Sequence, residues 1–153
     1  MNRDGVDLDT SLGYVLKEAA SALRLAMEDV LRPLGMTITH YACLELLAQR
    51  PGMSNSELAR GAFVTRQSMN VLLQALERDG LVTRPAEAPV GKALPARLTP
   101  KGRRSLEKAS NAVRSVEARM LGGLSAAEQA AAFEVLQGMV RALREEPSGT
   151  IEG

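Results

Sequence analysis

The fold is decided by residues 54–80, which read SNSELARGAFVTRQSMNVLLQALERDG. Ser54 and Glu57 have the spacing of a capping box, which predicts a short helix at the start of this stretch. Thr65 can cap a second helix after a tight turn. The apolar side chains of that second helix lie on one stripe: Met69, Leu72, Leu73 and Leu76. The stretch therefore predicts a helix-turn-helix, around which the rest of the chain is arranged.

A change of period follows this unit. Residues 81–84 and 93–98 read as short extended segments around a loop rich in proline and glycine, which predicts a two-stranded hairpin. A helix-turn-helix followed by a hairpin is the winged form of the motif, whose second helix can enter the major groove of DNA.

Four further amphipathic helices flank the winged unit, as steps of three and four between apolar residues indicate. We expect them at 11–33, 37–50, 99–121 and 125–146. The fold class is thus mainly α, with about six helices and a two-stranded wing.

The expected organisation is one domain at 11–146, in which 37–98 form the winged helix. The tails at 1–10 and 147–153 are expected to be disordered.

Composition excludes several classes of protein. The 153 residues are 45% hydrophobic and 24% charged, as in an ordinary globular domain. No apolar run approaches the roughly 18 residues needed to cross a bilayer, and the acidic start is unlike a signal peptide, so we expect a soluble cytoplasmic protein.

The reactive residue types are too few for several kinds of site. One cysteine and one histidine leave no metal-ligand cluster, and no glycine-rich phosphate loop is present. We therefore expect no metal, no cofactor and no enzymatic activity. Two tyrosines and two phenylalanines also argue against a stacking platform for single-stranded nucleic acid.

The net charge of +1 hides a basic segment. Residues 60–104 carry nine basic and three acidic side chains, a net charge of +6, whereas 1–59 carry −3 and 105–153 carry −2. The basic segment coincides with the predicted winged unit, which favours a nucleic-acid partner.

Side chains opposite the apolar stripe are candidates for contacting DNA bases: Gln67, Asn70, Val71, Gln74 and Arg78. Glutamine and asparagine can pair with adenine, and valine can touch a thymine methyl group. Candidates for contacts near the helix starts are Ser54, Asn55, Thr65, Arg66 and Ser68, and those in the hairpin are Arg84, Lys92 and Arg97. The alternative interpretation is an ordinary solvated surface, because any surface helix has a polar face.

Five blocks together resemble the MarR family of bacterial transcriptional regulators. They are MTITHYACLELL at 36–47, SNSELA at 54–59, VTRQS at 64–68, LERDGLV at 76–82 and LTPKG at 98–102. The order of these blocks, within a resemblance over residues 12–145, is more specific than any one of them. The resemblance implies an obligate homodimer that regulates nearby genes and responds to a small phenolic or other lipophilic ligand held between the dimerisation helices and the DNA-binding part. Two copies also set two reading helices about one DNA turn apart, which predicts a palindromic operator.

Apolar faces of the terminal helices, within 11–33 and 99–146, agree with a dimer. The candidate dimerisation residues are Leu12, Val15, Leu16, Leu106, Val113, Val116, Met120, Phe133, Leu136 and Val140.

The wing departs from the family pattern, in which an aspartate often orients a minor-groove arginine. That pair is missing from residues 84–95, where Lys92 is the best substitute. A lysine is a point charge without the planar fork of arginine.

Two single residues allow alternative interpretations. Cys43 could be a redox sensor, but its apolar neighbours favour a buried, inert thiol. His40 occupies the third position of its helix and could close the helix end or face a partner, with ligand binding or pH sensing as the alternative.

Three functions remain open at this point. The basic segment favours a ligand-responsive regulator that binds double-stranded DNA. The family resemblance implies that this regulator is a repressor released by its small ligand. The alternatives are a winged-helix protein that binds other proteins, and a ligand-binding helical dimer with little DNA affinity.

Overall fold

Six α-helices and a two-stranded antiparallel sheet make up the residues that the computed structural model describes, 5–84 and 96–145. The helices are α1 (Leu12–Leu31), α2 (Ile38–Gln49), α3 (Asn55–Gly61), α4 (Arg66–Arg78), α5 (Pro100–Leu121) and α6 (Ala126–Arg144). A 3₁₀-helical turn at Arg32–Leu34 follows α1, and the strands are β1 (Val82–Thr83) and β2 (Arg97–Leu98). Val82 pairs with Leu98 and Thr83 with Arg97. The predicted winged helix-turn-helix and its mainly α class are confirmed.

Hydroxyl caps define where the helices begin. The side chains of Ser11, Thr37, Ser54, Thr65 and Ser125 each accept a hydrogen bond from a backbone amide in the first turn. Ser54 and Glu57 form the predicted reciprocal capping box, and Ser125 and Glu128 form another at the start of α6. Each such cap stabilises its helix by about 1 kcal/mol.

The core lies where α2, α3 and α4 meet. Leu44, Leu58 and Leu73 are fully buried, and Val82 of β1 and Ala109 of α5 belong to the same cluster. Burying a leucine side chain contributes roughly 1.5–3 kcal/mol, so this cluster fixes the position of α4.

The joint between the turn after α4 and the start of α5 is unusually close. The hydroxyl of Thr99 donates to the carbonyl of Gly80 (2.6 Å), and Nζ of Lys101 donates to the carbonyl of Asp79 (3.0 Å). A Cβ at Gly102 would overlap the carbonyl oxygen of Leu81. Only glycine lets α5 approach the turn this closely.

The chain divides into two compact units, one up to Val116 and one from Glu117 onward. The first contains the winged helix and its core. In the second, α6 has no buried residue, and its larger apolar side chains are exposed: Phe133, Val135, Leu136, Val140 and Leu143.

The candidate dimerisation residues of α5 differ in how far the chain itself buries them. Leu106 is buried in the core of its own chain, Val113 packs against that core, and Val116 is buried as well. These side chains leave little surface for a partner because the chain itself covers them. Met120 is half exposed, as are Leu12, Val15 and Leu16 of α1.

Several predictions fall partly or wholly outside the described residues. The wing loop with Lys92 lies there, as do residues 1–4 and 146–153 of the two tails.

Candidate nucleic-acid interface

Helix α4 has one buried face and one exposed face. The predicted stripe of Met69, Leu72, Leu73 and Leu76 is buried, as expected. The opposite side chains are exposed: Arg66, Gln67, Ser68, Val71, Gln74 and Arg78. Val71 is 62% exposed, although an apolar side chain on a surface helix gains nothing from solvent. The exposed face thus combines two amides, two guanidinium groups, one hydroxyl and one apolar group, which is a set that can contact base edges in a major groove.

The start of α4 is capped by the side-chain hydroxyl of Thr65, which is also bonded to the hydroxyl of Ser68. Oγ1 of Thr65 accepts from the amide of Ser68 (3.1 Å) and donates to Oγ of Ser68 (2.9 Å). Both residues therefore stabilise the helix end, while the exposed Arg66 beside them adds a positive charge. The first amides of a helix and its dipole favour an anion such as a phosphate at this end.

Asn55 and Asn70 are joined by a side-chain hydrogen bond. Nδ2 of Asn55 donates to Oδ1 of Asn70 over 2.8 Å, and both residues are half-buried. This bond ties the start of α3 to the middle of α4. It also orients the amide of Asn70, whereas Gln67 and Gln74 point into solvent. The sequence held no signal for the pair, because the two residues are 15 positions apart on different helices.

The arginines at the base of the wing differ in their surroundings. Nε of Arg84 donates to a carboxylate oxygen of Glu77 over 2.8 Å, and the Arg84 side chain is 27% exposed. Arg97 on β2 is exposed, and Arg78 lies 3.7 Å from a carboxylate oxygen of Asp79. Arg84 therefore anchors the strand to α4 and can offer only its remaining N–H groups to a phosphate.

A cleft of about 840 Å³ lies beside α1, and we call it the α1 cleft. Its walls come from α1, from the segment that joins α1 to α2, from the start of α2, and from the turn between α3 and α4. The lining residues are Ala20, Leu23, Arg24, Met27, Glu28, Arg32, Gly35, Met36, Thr37, Ile38, Thr39 and Phe63. Two arginines stand among mainly apolar side chains, a combination that suits a small molecule with an apolar body and a negative group.

Both arginines of the α1 cleft have nearby carboxylates. Nη1 of Arg24 lies 3.3 Å from Oε1 of Glu28, and Nη1 of Arg32 lies 3.4 Å from Oδ1 of Asp29. These pairs are exposed and contribute little to stability, so the guanidinium groups can turn toward an anion at small cost. Sequence reasoning did not identify the arginines of this cleft. Their positions on the first helix and just after it gave no sign that both would face one cleft.

Cys43 is fully buried, and burial raises the pKa of its thiol to about 12. Such a thiol is protonated at neutral pH and does not react as a nucleophile. The predicted burial of Cys43 is confirmed.

His40 closes the start of α2. Its Nδ1 accepts from the amide of Thr37 (3.4 Å), while Oγ1 of Thr37 accepts from the amide of His40 (3.1 Å). Burial lowers the pKa of the imidazole, against a smaller opposing effect of Asp79. The neutral ring therefore takes the place of glutamate in a capping box, and its predicted helix-closing role is confirmed.

Glu45 links α2 to α5. Its carboxylate accepts from Nε2 of Gln49 (2.6 Å) and from the hydroxyl of Ser110 (2.8 Å). Partial burial alone would raise the pKa of Glu45, but hydrogen bonds from Gln49, Tyr41 and Ser110, together with the charge of Arg114, lower it overall.

Neither a metal-ligand group nor a membrane-spanning helix occurs among the residues that the structure describes. Residues 5–84 and 96–145 contain no group of three or more histidine, cysteine, aspartate or glutamate side chains that could hold a metal ion. No helix in those ranges is both long enough and apolar enough to cross a membrane.

Comparison with known proteins gives consistent matches. A family model described as MarR family matches residues 34–93. The chain is 44% identical over 125 residues to the HTH-type transcriptional repressor Rv2887 of Mycobacterium tuberculosis. The alignment covers 82% of this chain and 90% of the relative.

Solved structures of Rv2887 also match. Its complex with salicylic acid has a TM-score of 0.69 at 42% identity and covers 86% of this chain and 97% of the relative. Its complex with DNA has a TM-score of 0.68 at 39% identity and covers 90% of this chain and 100% of the relative. Rv2887 thus binds both DNA and a small aromatic acid. These are the kinds of partner to which the exposed face of α4 and the α1 cleft of this chain are suited.

Proposed function

The chain belongs to the MarR family of transcriptional regulators, and we propose that it is a sequence-specific repressor that a small aromatic acid releases from double-stranded DNA. One observation carries this proposal: the polar, cationic face of α4 and a cleft with two arginines occur in one compact unit. The proposal assigns regulation to the chain rather than catalysis, in keeping with its family.

On the DNA side, α4 is the reading helix. Gln67, Gln74 and the held amide of Asn70 meet base edges in the major groove, and Val71 meets a thymine methyl group. Arg66, Arg78 and Arg97 meet phosphates, with Thr65 and Ser68 shaping the helix end. Lys92, in the wing loop, is our candidate for the minor groove.

The repressor acts as a homodimer on a palindromic operator. Exposed apolar side chains on α1 and α6 support this, since Leu12, Val15 and Leu16 of α1 and Phe133, Leu136 and Val140 of α6 would be costly to leave in water. Met120 at the end of α5 extends the same kind of surface. The dimer acts in the cytoplasm, where bacterial DNA lies.

On the ligand side, the α1 cleft takes the effector. Leu23, Met27 and Ile38 provide apolar walls for a ring, and Arg24 or Arg32 can form a bidentate pair with a carboxylate. Salicylic acid, which is bound by the relative Rv2887, has both features. We therefore assign the effector to the class of small aromatic carboxylic acids.

The test is fluorescence anisotropy on the intergenic DNA upstream of the chain's own gene, at a stated salt concentration and with unrelated DNA as competitor. We expect two chains per site and a Kd of about 10 nM or tighter at physiological salt. Saturating salicylate should weaken this binding. Binding that competitor abolishes equally on every sequence would contradict the proposal and favour a protein-binding or ligand-binding helical dimer.

A further inference from the structure

Phe63 lies two residues after the last residue of α3 and has a backbone conformation that normally requires glycine. Its φ is +60°, and Phe63 is the one non-glycine residue with a positive φ among the residues that the structure describes. The amide of Phe63 donates to the carbonyl of Arg60 (3.3 Å), and the amide of Val64 donates to that of Ala59 (3.0 Å). These two bonds form a Schellman motif, in which Phe63 takes the left-handed position. A bulky side chain at this position strains the backbone.

Burial of the ring does not compensate for this strain. The Phe63 side chain is 82% exposed, so it adds almost nothing to the core. Glycine would satisfy the same hydrogen bonds without the strain, and a polar residue would be better solvated. The stability of the turn therefore gives no reason for phenylalanine here.

The ring does have a place in the α1 cleft. Phe63 lines the cleft from the side of the helix-turn-helix, together with Leu23 and Met27 of α1. An exposed aromatic face beside apolar walls is suited to stack against the ring of a small aromatic acid.

The backbone of Phe63 is joined directly to the reading helix. Val64, the next residue, packs against the core, and Thr65 after it caps α4. The strained backbone of Phe63 therefore lies two residues from the cap that sets the start of α4.

We propose that Phe63 is the residue through which an aromatic effector in the α1 cleft acts on α4. The inference rests on the proposed function and deepens it. The effector binds the ring more tightly in one backbone state of the strained turn than in the other, and this difference in affinity shifts α4 away from its DNA-binding position.

The test compares two substitutions at Phe63, with salicylate as the probe. Phe63→Gly removes the ring and relieves the strain, so the DNA Kd without salicylate should stay within about twofold while the salicylate Kd rises about tenfold. At saturating salicylate, Phe63→Gly should remain on the operator. Phe63→Leu keeps the strained backbone and an apolar side chain, so it should bind salicylate severalfold more weakly yet still release DNA at saturation.

The matched control is Leu34→Ala, which removes an exposed apolar side chain that does not line the cleft. It should leave both affinities unchanged. Calorimetry measures salicylate binding, and anisotropy measures DNA binding with and without saturating salicylate. If Phe63→Gly releases DNA as the wild type does, the inference about Phe63 is overturned and the proposed function stands. A wild type that binds the operator but ignores salicylate overturns both the effector class and this inference.

Discussion

Helices α4 and α6 have similar amphipathic patterns, but their apolar faces lie in opposite environments. In α4, four apolar residues are buried by the chain itself, and the polar face remains exposed. In α6, no residue is buried, and Leu143 is 87% exposed. Periodicity thus predicts that a face will be covered but does not say by what. The helix whose apolar face is already satisfied is free to recognise another molecule with its polar face, whereas α6 still needs a cover.

Replacing one leucine on each helix should change the free energy of unfolding most and should test this comparison directly. Leu73→Ala on α4 creates a cavity in the core and should lower the free energy of unfolding by about 2–5 kcal/mol. Leu136→Ala on α6 removes a half-exposed side chain and should cost less within one chain. Urea denaturation at two protein concentrations separates the effects. We expect Leu136→Ala to make the midpoint more dependent on concentration, and equal, concentration-independent losses would count against a second copy as the cover.

The joint at Gly102 provides the next test. Gly102→Ala forces the start of α5 away from the Leu81 carbonyl and should destabilise the winged unit by about 1–3 kcal/mol. The control is Gly138→Ala on α6, where a Cβ meets only Nη2 of Arg141 at 3.9 Å. Helix propensity predicts that this control stabilises the chain by up to about 1 kcal/mol. Thermal unfolding measures both variants, and equal Tm changes would refute the idea that the joint is specifically tight.

Two substitutions on α4 sharpen the distinction between base and phosphate contacts. Gln74→Ala should narrow the gap between operator and unrelated DNA by roughly 1–3 kcal/mol. Arg66→Ala should weaken binding to all sequences and reduce the slope of log K against log salt by about one. Anisotropy titrations at several salt concentrations measure both quantities. Equal losses on every sequence for Gln74→Ala would remove it from the base-reading set.

The smallest expected effect concerns Glu45 and pH. Because its pKa is lowered in the folded chain, its carboxylate stabilises the fold at neutral pH, and this contribution is lost as pH falls below 4.5 through the folded pKa. Glu45→Gln should therefore be less stable than the wild type at pH 7, with a difference that shrinks in acid. Urea midpoints at both pH values measure it, and Ser110→Ala, which removes one donor, should show part of the same change. A difference that stays constant with pH would show that the Glu45 charge is unimportant.

The elements that could be predicted from sequence are those with local causes. Caps such as Ser54 and Thr65 act within three residues, and the change from helical to extended period marks the wing. Burial along α5 could not be predicted in this way, because Leu106 and Met120 share one apolar periodicity although the chain buries only the first.

The missed parts of the candidate site depend on contacts between distant positions. Asn55 meets Asn70, and Arg24 and Arg32 share a cleft with Phe63 only after the chain has folded. No local pattern encodes such meetings. The proposed DNA-contacting residues of α4 could be named from sequence as a set, because they only had to lie opposite the buried stripe.

The inert thiol of Cys43 makes the chain convenient for spectroscopy. A maleimide or nitroxide reagent will not modify a buried, protonated sulfur, so a cysteine introduced at an exposed position becomes the single labelled site. The chain also contains no tryptophan, so one introduced indole would be its only such fluorophore. A label on α4 and an indole near the α1 cleft could then report, in the otherwise native protein, when the reading helix moves.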